Sequence, residues 1–392
     1  KKDTADKPSP DAITHSGFFI SPGIPSTEKE EKMQKIKVGV IGATGMVGQN
    51  YIQLLDAHPW FEVPYVGASP RSANQPYQDA VAGRWLMAAP IPAAVSQLAV
   101  GDANQVNQAK GQCRLIFSAV DMEKTAVADL ELEYAAQGLA VVSNNSAHRH
   151  TPDVPMIIPE INPHHLEIIP AQRINRGWDQ GLVAVKSNCS IQSYMAPVYA
   201  LIKAGFSVSR MILTTLQALS GAGFPGPAAI ELVDNIIPYI DGEDEKSEIE
   251  PLKILGQVVE NEIVNATGID IAAHCTRVPV TDGHTACVNL EFQGAKPDLK
   301  EIADIWRHFS GVPQELELPF APKRPIVVKT EPDRPQPRKD RDLDKAMTVT
   351  VGGLRTCNVF DIRFVGLHHN TIRGAAGGAI LTAELLQAGN YL

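Results

Sequence analysis

The sequence lacks three features that would each point to a particular class of protein. Basic residues are not in excess, since the net charge is -9, and this argues against general nucleic-acid binding. No apolar run approaches the length of a bilayer-spanning helix. The cysteines form no CxxC pair and no disulfide framework; they stand at positions 113, 189, 275, 287 and 357. We therefore expect a reduced, cytoplasmic protein with no metal site and with neither nucleic acid nor membrane as a partner.

What the chain contains is typical of a globular protein. It has 392 residues, 44% of them hydrophobic and 20% charged, which is enough for two domains with substantial cores. Residues 1–34 are polar and rich in Lys, Glu, Pro and Ser, and they lack the continuous apolar segment of a signal peptide. We expect them to form a disordered extension, with folding starting near Lys35.

Strand-like and helical segments alternate in the first half of the chain. Helical spacing of apolar residues follows the first strand and returns over residues 124–137. Buried strands are predicted by short apolar runs at 36–41, 61–67, 115–119 and 140–143, and a further strand at 182–185 lies beyond Pro159. This alternation predicts βαβ units and a doubly wound parallel sheet, the Rossmann-type fold of nucleotide-binding domains.

The pattern changes after Pro159. Longer strand-like segments at 211–218 and 285–292 predict a sheet with antiparallel pairs, hence an α+β second half. Residues 322–342 are rich in Pro and charge and predict an exposed loop. Helices are expected over 192–204, 251–267 and 375–388.

A glycine-rich turn lies between the first predicted strand and the first helix. Its spacing is G-x-x-G-x-x-G rather than the commoner G-x-G-x-x-G. Glycines here allow a tight turn and let backbone amides approach a pyrophosphate, although small residues in such turns also serve packing alone. The candidate cofactor-binding residues of this turn are Gly42, Thr44, Gly45, Met46, Val47 and Gly48.

The end of the second strand favours NADP over NAD. NAD-binding domains carry Asp or Glu there to bind the ribose hydroxyls. This chain instead has Ser69, Arg71 and Ser72, a cation between two hydroxyls, which suits a 2′-phosphate. The alternative is that Arg71 is an ordinary solvated loop residue.

Cys189 is a candidate nucleophile. It lies at a strand end and leads into a predicted helix, whose dipole is expected to lower the pKa of the thiol. A thiolate attacks a carbonyl and forms a thiohemiacetal, from which hydride passes to a nicotinamide. The alternative is a buried structural cysteine, which is how we interpret Cys113, Cys275, Cys287 and Cys357.

A second group of residues supports the chemical interpretation of Cys189. His284 follows a Gly turn between two predicted strands, where a hairpin tip would present it as a general acid/base. Arg277, seven residues earlier, suits a bidentate clamp on a substrate carboxylate. The alternatives are a turn histidine and a surface cation.

The chain resembles the aspartate-β-semialdehyde dehydrogenase family, in its archaeal and fungal-like branch. The resemblance covers nearly everything from Lys35 to Leu392. It rests on five motifs in the same order: GATGMVG at 42–48, SNCS at 187–190, LQALSGAGFPG at 216–226, RVPVTDGH at 277–284 and HNTIRGAAGG at 369–378.

The resemblance implies a role for each matching residue. Cys189 would carry the acyl-thioester, His284 would be the acid/base, and Gln217 would orient the intermediate. Arg277 would bind the substrate carboxylate. Further substrate or phosphate contacts would be Arg149, Asn188, Glu243 and Lys246, and further cofactor contacts Ser220, Gly221 and Asn370.

The resemblance also implies an architecture, a cofactor and a reaction. Residues 35–187 would form the NADP-binding Rossmann domain, and 188–366 an α+β catalytic and dimerisation domain with a mixed sheet. Residues 367–392 would return a helix to the first domain. The implied enzyme reduces L-4-aspartyl phosphate with NADPH to L-aspartate 4-semialdehyde, for lysine, methionine and threonine biosynthesis, and it acts as a homodimer or homotetramer.

Three alternative functions would each require a different set of residues at the site. Malonyl-CoA reductase would share the cysteine, the histidine and NADPH, with CoA as the leaving group. N-acetylglutamyl-phosphate reductase runs parallel chemistry but fits the motifs at 220–226 and 277–280 less well. A non-catalytic NADP-binding sensor would keep the glycine turn without needing Cys189, Gln217 and His284 together.

Overall fold

The computed structural model describes residues 34–392, so all but the last residue of the predicted extension, 1–34, lies outside the described part of the chain. The strands are β1 (Ile36–Ile41), β2 (Phe61–Ala68), β3 (Gly101–Asp102), β4 (Leu115–Ser118), β5 (Ala140–Ser143), β6 (Met156–Ile157), β7 (Leu182–Lys186), β8 (Ser207–Gln217), β9 (Gln257–Val259), β10 (Glu262–Val264), β11 (Asp270–Arg277), β12 (His284–Gln293), β13 (Ile326–Val328), β14 (Val349–Thr356) and β15 (Ile362–His368).

The helices include several of a single turn. They are α1 (Met46–Leu55), α2 (Tyr77–Ala80), α3 (Ala93–Ser96), α4 (Lys124–Ala136), α5 (Ile169–Arg176), α6 (Met195–Lys203), α7 (Ala229–Leu232), α8 (Glu243–Ile254), α9 (Leu299–His308), α10 (Val312–Glu315), α11 (Pro337–Asp340), α12 (Leu343–Ala346) and α13 (Gly377–Ala388). Within the described residues, no helix combines the length and apolar character needed to cross a bilayer.

The first sheet is parallel throughout, which confirms the predicted doubly wound fold. Its order is β3-β2-β1-β4-β5-β7-β6. β1 is buried continuously from Val38, as expected for a strand covered on both faces. Strand order reverses between β1 and β4, and in such sheets ligands bind at this reversal, beyond the carboxyl ends of the strands. The glycine turn after β1 lies at this point.

The second sheet is mixed, as predicted, with the order β11-β8-β12-β15-β14-β13. β8 alternates between buried and exposed residues, so one face of the sheet is covered and the other is open. β12 is antiparallel to both β8 and β15. β11 is parallel to β8, with Arg277 beside Gln217. The carboxyl ends of β8 and β11 therefore meet the start of β12 at one edge.

The predicted hairpin tip around His284 is wrong. β11 and β12 are not paired with each other, because β8 lies between them. The turn over residues 278–283 crosses the end of β8, and His284 is fully buried at the start of β12.

Two further local predictions need correction. The helix expected over 251–267 ends at Ile254, and β9 and β10 form a hairpin beyond it. A Cβ on Gly256 would lie 2.2 Å from Val264 O, so the hairpin packs directly on the helix end. Residues 322–342 are not simply an exposed loop, because they contribute β13 to the second sheet and bury the carboxylate of Asp340.

The C-terminal helix α13 packs against α1, β5 and β7 of the parallel sheet. Its apolar residues, among them Ile380 and Leu385, join a core with Val38 and Phe117. A second core cluster contains residues of both sheets, such as Val183 and Val288. The helix thereby closes one face of the parallel sheet directly after the motif at 369–378.

Candidate active site

Cys189 and His284 are brought together from the two sheets. Cys189 follows β7, and His284 is the first residue of β12. Cys189 Sγ is 3.4 Å from His284 Nε2. A sulfur and an imidazole nitrogen at this distance share a hydrogen bond, which is the arrangement of a nucleophile with its acid/base partner.

The backbone determines which nitrogen of His284 carries the proton. The N–H of Ala218, directly after β8, donates to Nδ1 at 2.9 Å. A neutral imidazole has one N–H, so its hydrogen lies on Nε2, the nitrogen that faces Cys189. Burial, followed by the positive charge of Arg277, holds the pKa of His284 well below its usual value. His284 is therefore a neutral hydrogen-bond donor towards the sulfur.

The structure does not supply the helix dipole predicted at Cys189, and the pKa of its thiol lies above the usual value. The sequence predicts a helix dipole, but Ser190–Ser193 is a single 3-10 turn, and α6 starts only at Met195. Burial is the largest influence and raises the pKa of the thiol, and Glu243 raises it further. The groups that lower the pKa are the cations Lys186, Arg149 and Arg277. Thiolate formation therefore depends on nearby positive charge.

Glu243 is the hydrogen-bonding centre on one side of the pair. It begins α8, and its Oε1 accepts from Asn188 Nδ2 at 2.8 Å and from Lys246 Nζ at 2.9 Å. Its Oε2 accepts from Gln217 Nε2 at 3.0 Å. Burial raises the pKa of Glu243, but Lys246 and these hydrogen bonds outweigh burial and hold the pKa below its usual value. The structure thus joins three predicted site residues around the ionised carboxylate of a fourth, Glu243.

Arg277 lies over the same site from the end of β11. Its Nη1 donates to Ala218 O at 2.7 Å, and its guanidinium makes no other hydrogen bond to the described residues. Gly221, in the 3-10 turn Leu219–Ala222, lies against it: a Cβ there would be 2.8 Å from Arg277 Nη1 and 3.0 Å from His284 Nε2. Nη2 of Arg277 therefore remains available for a carboxylate, and Gly221 lies against Arg277 and His284.

Arg149 is present at the site but is largely engaged by the protein. Its Nε donates to Lys186 O at 3.0 Å, its Nη1 to Glu250 Oε1 at 2.9 Å and its Nη2 to Asn144 O at 3.1 Å. Glu250 Oε2 in turn accepts from the N–H of Asn188 at 2.6 Å. Each Nη atom of Arg149 carries two hydrogens, and one of each pair is already used. Only the second hydrogen on Nη1 and on Nη2, together with the positive charge of Arg149, is left for the predicted contact with phosphate.

The glycine turn has the form that a dinucleotide needs. Gly42 has φ +75°, and a Cβ there would lie 2.2 Å from Ala119 O; a Cβ on Gly48 would lie 2.2 Å from Gly42 O. Packing therefore explains both glycines. Gly45 is different, because its Cβ would meet no atom closer than 3.4 Å, and no side chain caps α1, which starts at Met46. The space beside Gly45 and the first helical turn, with Thr44 and Val47, fits a pyrophosphate.

The end of β2 only partly matches its prediction. Ser69 and Arg71 are exposed, but Ser72 is buried and its Oγ accepts a hydrogen bond from Arg84 Nη2 at 3.0 Å. The Ser72 Oγ is thus engaged by Arg84, and its role in cofactor binding stays a prediction. Arg84, which sequence reasoning missed, is exposed and brings a second cation to this strand end.

Ser220 and Asn370 are bonded to each other. Asn370 Nδ2 donates to Ser220 Oγ at 2.8 Å, and Asn370 Oδ1 accepts from the N–H of Gly283 at 2.8 Å. Both polar groups of the Asn370 side chain are therefore used inside the protein. In this geometry the side chain of Asn370 links Ser220 to the turn that precedes His284 and does not extend towards a cofactor.

Sequence reasoning missed several site residues, and only some of them left a signal. Glu250 lies seven residues after Glu243 in α8, a spacing that places both on one helix face. Lys186 is the single charged residue in the apolar run LVAVK. Ala218 acts through its backbone, so its side chain gives no indication of its role.

Known protein families match both halves of the chain. Residues 37–169 match the family described as semialdehyde dehydrogenase, NAD binding domain, and residues 198–373 match semialdehyde dehydrogenase, dimerisation domain. The aspartate-semialdehyde dehydrogenase of Cryptococcus neoformans is 42% identical over 356 residues, covering 90% of this chain and 96% of that protein. That of Methanothermobacter thermautotrophicus is 41% identical over 356 residues, covering 90% and 99%.

A solved structure agrees with these relatives over the same length. The aspartate semialdehyde dehydrogenase of Candida albicans, in a crystal structure with NADP, matches with a TM-score of 0.83 and 38% identity, and the match covers 91% of this chain and 100% of that one. The matched part of the chain includes both sheets and both Cys189 and His284. The chain belongs to the aspartate-semialdehyde dehydrogenase family.

Proposed function

We propose that this chain catalyses the NADPH-dependent reductive dephosphorylation of L-4-aspartyl phosphate to L-aspartate 4-semialdehyde, in lysine, methionine and threonine biosynthesis. The observation that carries the proposal is the partly buried contact between Cys189 Sγ and His284 Nε2, at 3.4 Å, beside an ionised carboxylate and several cations. The full-length relatives that carry the name aspartate-semialdehyde dehydrogenase support it.

Cys189 is the nucleophile of the acyl-transfer step. Its thiolate attacks the β-acyl carbon: an S–C bond forms, the C–O bond to the phosphate breaks, and phosphate leaves with the bonding electron pair. Lys246 and Arg149 provide positive charge for the leaving phosphate. The product of this step is an acyl-thioester on Cys189.

Two side chains hold the amino-acid end of the substrate. Arg277 has Nη2 available for the α-carboxylate, while its Nη1 is anchored to Ala218 O at 2.7 Å. Glu243 is an acceptor for the α-ammonium group and at the same time holds Gln217 at 3.0 Å. Gln217 thereby gains a fixed orientation, which suits its role of orienting the reacting carbonyl.

The residues at the first sheet fit NADP. The backbone at Gly45 and in the first turn of α1 would hold the pyrophosphate, and Arg71 would neutralise the 2′-phosphate. When bound, the cofactor supplies the hydride that reduces the thioester.

His284 places a proton next to the reacting carbonyl. Its Nδ1 is occupied by the N–H of Ala218 at 2.9 Å, so its Nε2–H is the group that donates to sulfur or to a developing oxyanion. Uptake of a second proton at Nδ1 would require the bond to Ala218 to break. The geometry therefore supports His284 as a proton donor more directly than as a proton acceptor.

An assay of cofactor reduction tests the reaction and the alternative acyl donor. L-aspartate semialdehyde with NADP is expected to give NADPH only when phosphate is present, and NAD is expected to give a much slower rate. A parallel reaction contains malonyl-CoA and NADPH. If malonyl-CoA is reduced while the semialdehyde gives no phosphate-dependent signal, the substrate assignment is wrong.

Removal of the thiol tests the covalent step. Cys189→Ala is expected to abolish turnover and to leave NADP affinity, measured by calorimetry, nearly unchanged, because the glycine turn lies on a different strand end. Retained turnover in this variant would exclude an acyl-thioester on Cys189.

The assembly and the location of the enzyme are also proposals. We propose a homodimer or homotetramer, supported by the match of residues 198–373 to a dimerisation domain, and a cytoplasmic location, supported by the biosynthetic role. The molecular mass from light scattering tests the first, and fractionation of cells that produce the protein tests the second.

A further inference from the structure

Glu131 is a fully buried carboxylate in α4 that the reaction described above does not use. Its Oε1 accepts hydrogen bonds from Ser118 Oγ and Ser143 Oγ, each at 2.6 Å, and from Asn145 Nδ2 at 3.1 Å. Its Oε2 is buried and has no hydrogen-bond partner among the described residues. Because burial of a carboxylate is costly, the convergence of these donors on one oxygen indicates a specific role for Glu131.

The partners of Glu131 lie at the edge of the first sheet where the cofactor binds. Ser118 ends β4 and Ser143 ends β5, and the two residues are paired across these strands. The sheet order places β4 and β5 between β1, which leads into the glycine turn, and β7, which leads to Cys189. Neighbouring strands are about 4.8 Å apart, so these three intervals span about 14 Å. A cofactor that starts at the glycine turn and presents its nicotinamide to Cys189 must therefore cross the ends of β4 and β5.

The hydrogen bonds to Glu131 determine the position of Asn145. Ser143 Oγ donates to Glu131 and accepts from the N–H of Asn145 at 3.0 Å. Ser118 Oγ also donates to Glu131 and accepts from Asn145 Nδ2 at 3.2 Å. A hydroxyl has one hydrogen, so donation to Glu131 leaves each serine oxygen free to act as an acceptor for Asn145. Both the backbone N–H and the side-chain amide of Asn145 are thereby held.

The loop that follows β5 connects this network to the substrate site. Asn144 Nδ2 donates to the hydroxyl of Tyr51 in α1, and Asn144 O accepts from Arg149 Nη2 at 3.1 Å. Asn144 and Asn145 are half-buried, whereas Glu131 is fully buried. Glu131 therefore supports from the interior a loop that is itself accessible to a ligand.

We propose that Glu131 is a positioning residue for the nicotinamide half of NADP. It acts through Ser118, Ser143 and Asn145, which it holds at the ends of β4 and β5. The proposal deepens the proposed function and rests on NADP lying between the glycine turn and Cys189. It gives Glu131 no role at the 2′-phosphate, because that end of the cofactor lies at β2, on the other side of β1.

The test compares two ligands by calorimetry in the full-length protein without substrate. NADP occupies the whole path, whereas adenosine 2′,5′-bisphosphate carries the 2′-phosphate and one phosphate of the pyrophosphate but no nicotinamide. Glu131→Met removes the acceptor and is expected to weaken NADP binding about tenfold, because the loop after β5 loses its support. The affinity for adenosine 2′,5′-bisphosphate is expected to stay within about twofold of the wild type, since the ends of β1 and β2 are unchanged.

Glu131→Gln separates the hydrogen bonds from the volume of the side chain. Its amide oxygen replaces Oε1 as the acceptor, and its amide nitrogen lies where Oε2 has no partner among the described residues. The affinity for NADP is therefore expected to stay within about threefold of the wild type. A glutamine variant that binds NADP as weakly as Glu131→Met would overturn the proposal.

Glu384→Met is the matched control. Glu384 is a fully buried carboxylate in α13 that accepts from His58 Nε2 at 2.8 Å and from the N–H of Phe320 at 3.0 Å. His58 precedes β2, so this carboxylate lies at the opposite edge of the sheet from the cofactor. Loss of Glu384 is expected to lower the melting temperature without a selective loss of NADP affinity.

Three results would contradict the role of Glu131. They are unchanged NADP affinity in Glu131→Met, an equal loss for both ligands in that variant, and the same selective loss in Glu384→Met. Should Glu131→Met fail to fold, Ser143→Ala decides by the same comparison. This variant removes one hydroxyl between Glu131 and Asn145 and is expected to weaken NADP binding selectively, about fivefold.

This experiment separates the further inference from the proposed function. Binding of NADP needs neither aspartyl phosphate nor turnover, so a selective loss supports the role of Glu131 whichever substrate the enzyme uses. Failure of the phosphate-dependent assay together with a selective loss would reject the substrate and keep the role of Glu131. Success of that assay without a selective loss would do the reverse.

Discussion

Gly221→Ala provides a direct test of the active-site geometry. A Cβ at this position would lie 2.8 Å from Arg277 Nη1 and 2.9 Å from His284 Cε1, inside the 3.4 Å at which ordinary contacts begin. The imidazole is bonded to the N–H of Ala218 and cannot retreat easily. Arg277 must therefore move, which strains its bond of 2.7 Å to Ala218 O.

The expected loss follows from these contacts. A hydrogen bond to a charged group contributes about 1.5–3 kcal/mol, and a displacement of about 1 Å in a binding group costs about 100-fold in rate. We expect kcat/KM for the semialdehyde to fall about 100-fold, or about 2.7 kcal/mol in transition-state free energy. Stability should change by less than about 1 kcal/mol, because Gly221 is exposed and has no positive φ, so its backbone accepts alanine.

The assay is steady-state kinetics in the phosphate-dependent direction, together with a thermal melt. The KM for NADP is measured as well, because the family resemblance also makes Gly221 a cofactor contact, and a rise in this KM would report on that contact. Ala222→Ser is the control, because it enlarges the next, exposed residue of the same turn. A Gly221→Ala enzyme with kcat/KM within about threefold of the wild type would refute the close approach of Gly221 to Arg277 and His284.

Two further substitutions test other parts of the molecule. Arg71→Ala is expected to raise the KM for NADP about tenfold and to leave that for NAD nearly unchanged, because only NADP carries the 2′-phosphate; equal effects on both cofactors would reject that role. Asp340→Ala removes a buried carboxylate that accepts from Arg334 Nε and from the N–H of Gln336, each at 2.7 Å. It should lower the free energy of unfolding in urea by about 2–4 kcal/mol, and a change below about 1 kcal/mol would show that residues 322–342 are not anchored this way.

Local sequence patterns were sufficient for five of the seven strands of the first sheet, while the two-residue strands β3 and β6 were not predicted. β1 and β5 match their predicted bounds because continuously apolar runs in a parallel sheet have few alternatives. The glycine turn was predicted for the same reason, since strand, turn and helix are adjacent in the chain. Cys189 at a strand end belongs to this group of successful predictions.

Patterns along the chain were insufficient where the structure depends on strand order. The turn before His284 looks like a hairpin in sequence, because two strand-like segments flank a glycine. The turn is not a hairpin, because β8 lies between β11 and β12 in the sheet. The local periodicity of a sequence does not indicate which strand lies beside which. The hairpin of β9 and β10 was missed because its short strands continue directly from a helical segment.

The site itself shows why function was easier to predict than mechanism. Side chains such as Cys189 and His284 reveal chemistry by their type, but Ala218 contributes only its peptide groups. Its N–H holds the imidazole of His284 and its C=O holds Arg277. One buried residue therefore sets both the proton on Nε2 and the orientation of the carboxylate clamp. Because any residue supplies these groups, the segment from Gln217 to Gly221 had to be seen in three dimensions before its role as the common support of the site was evident.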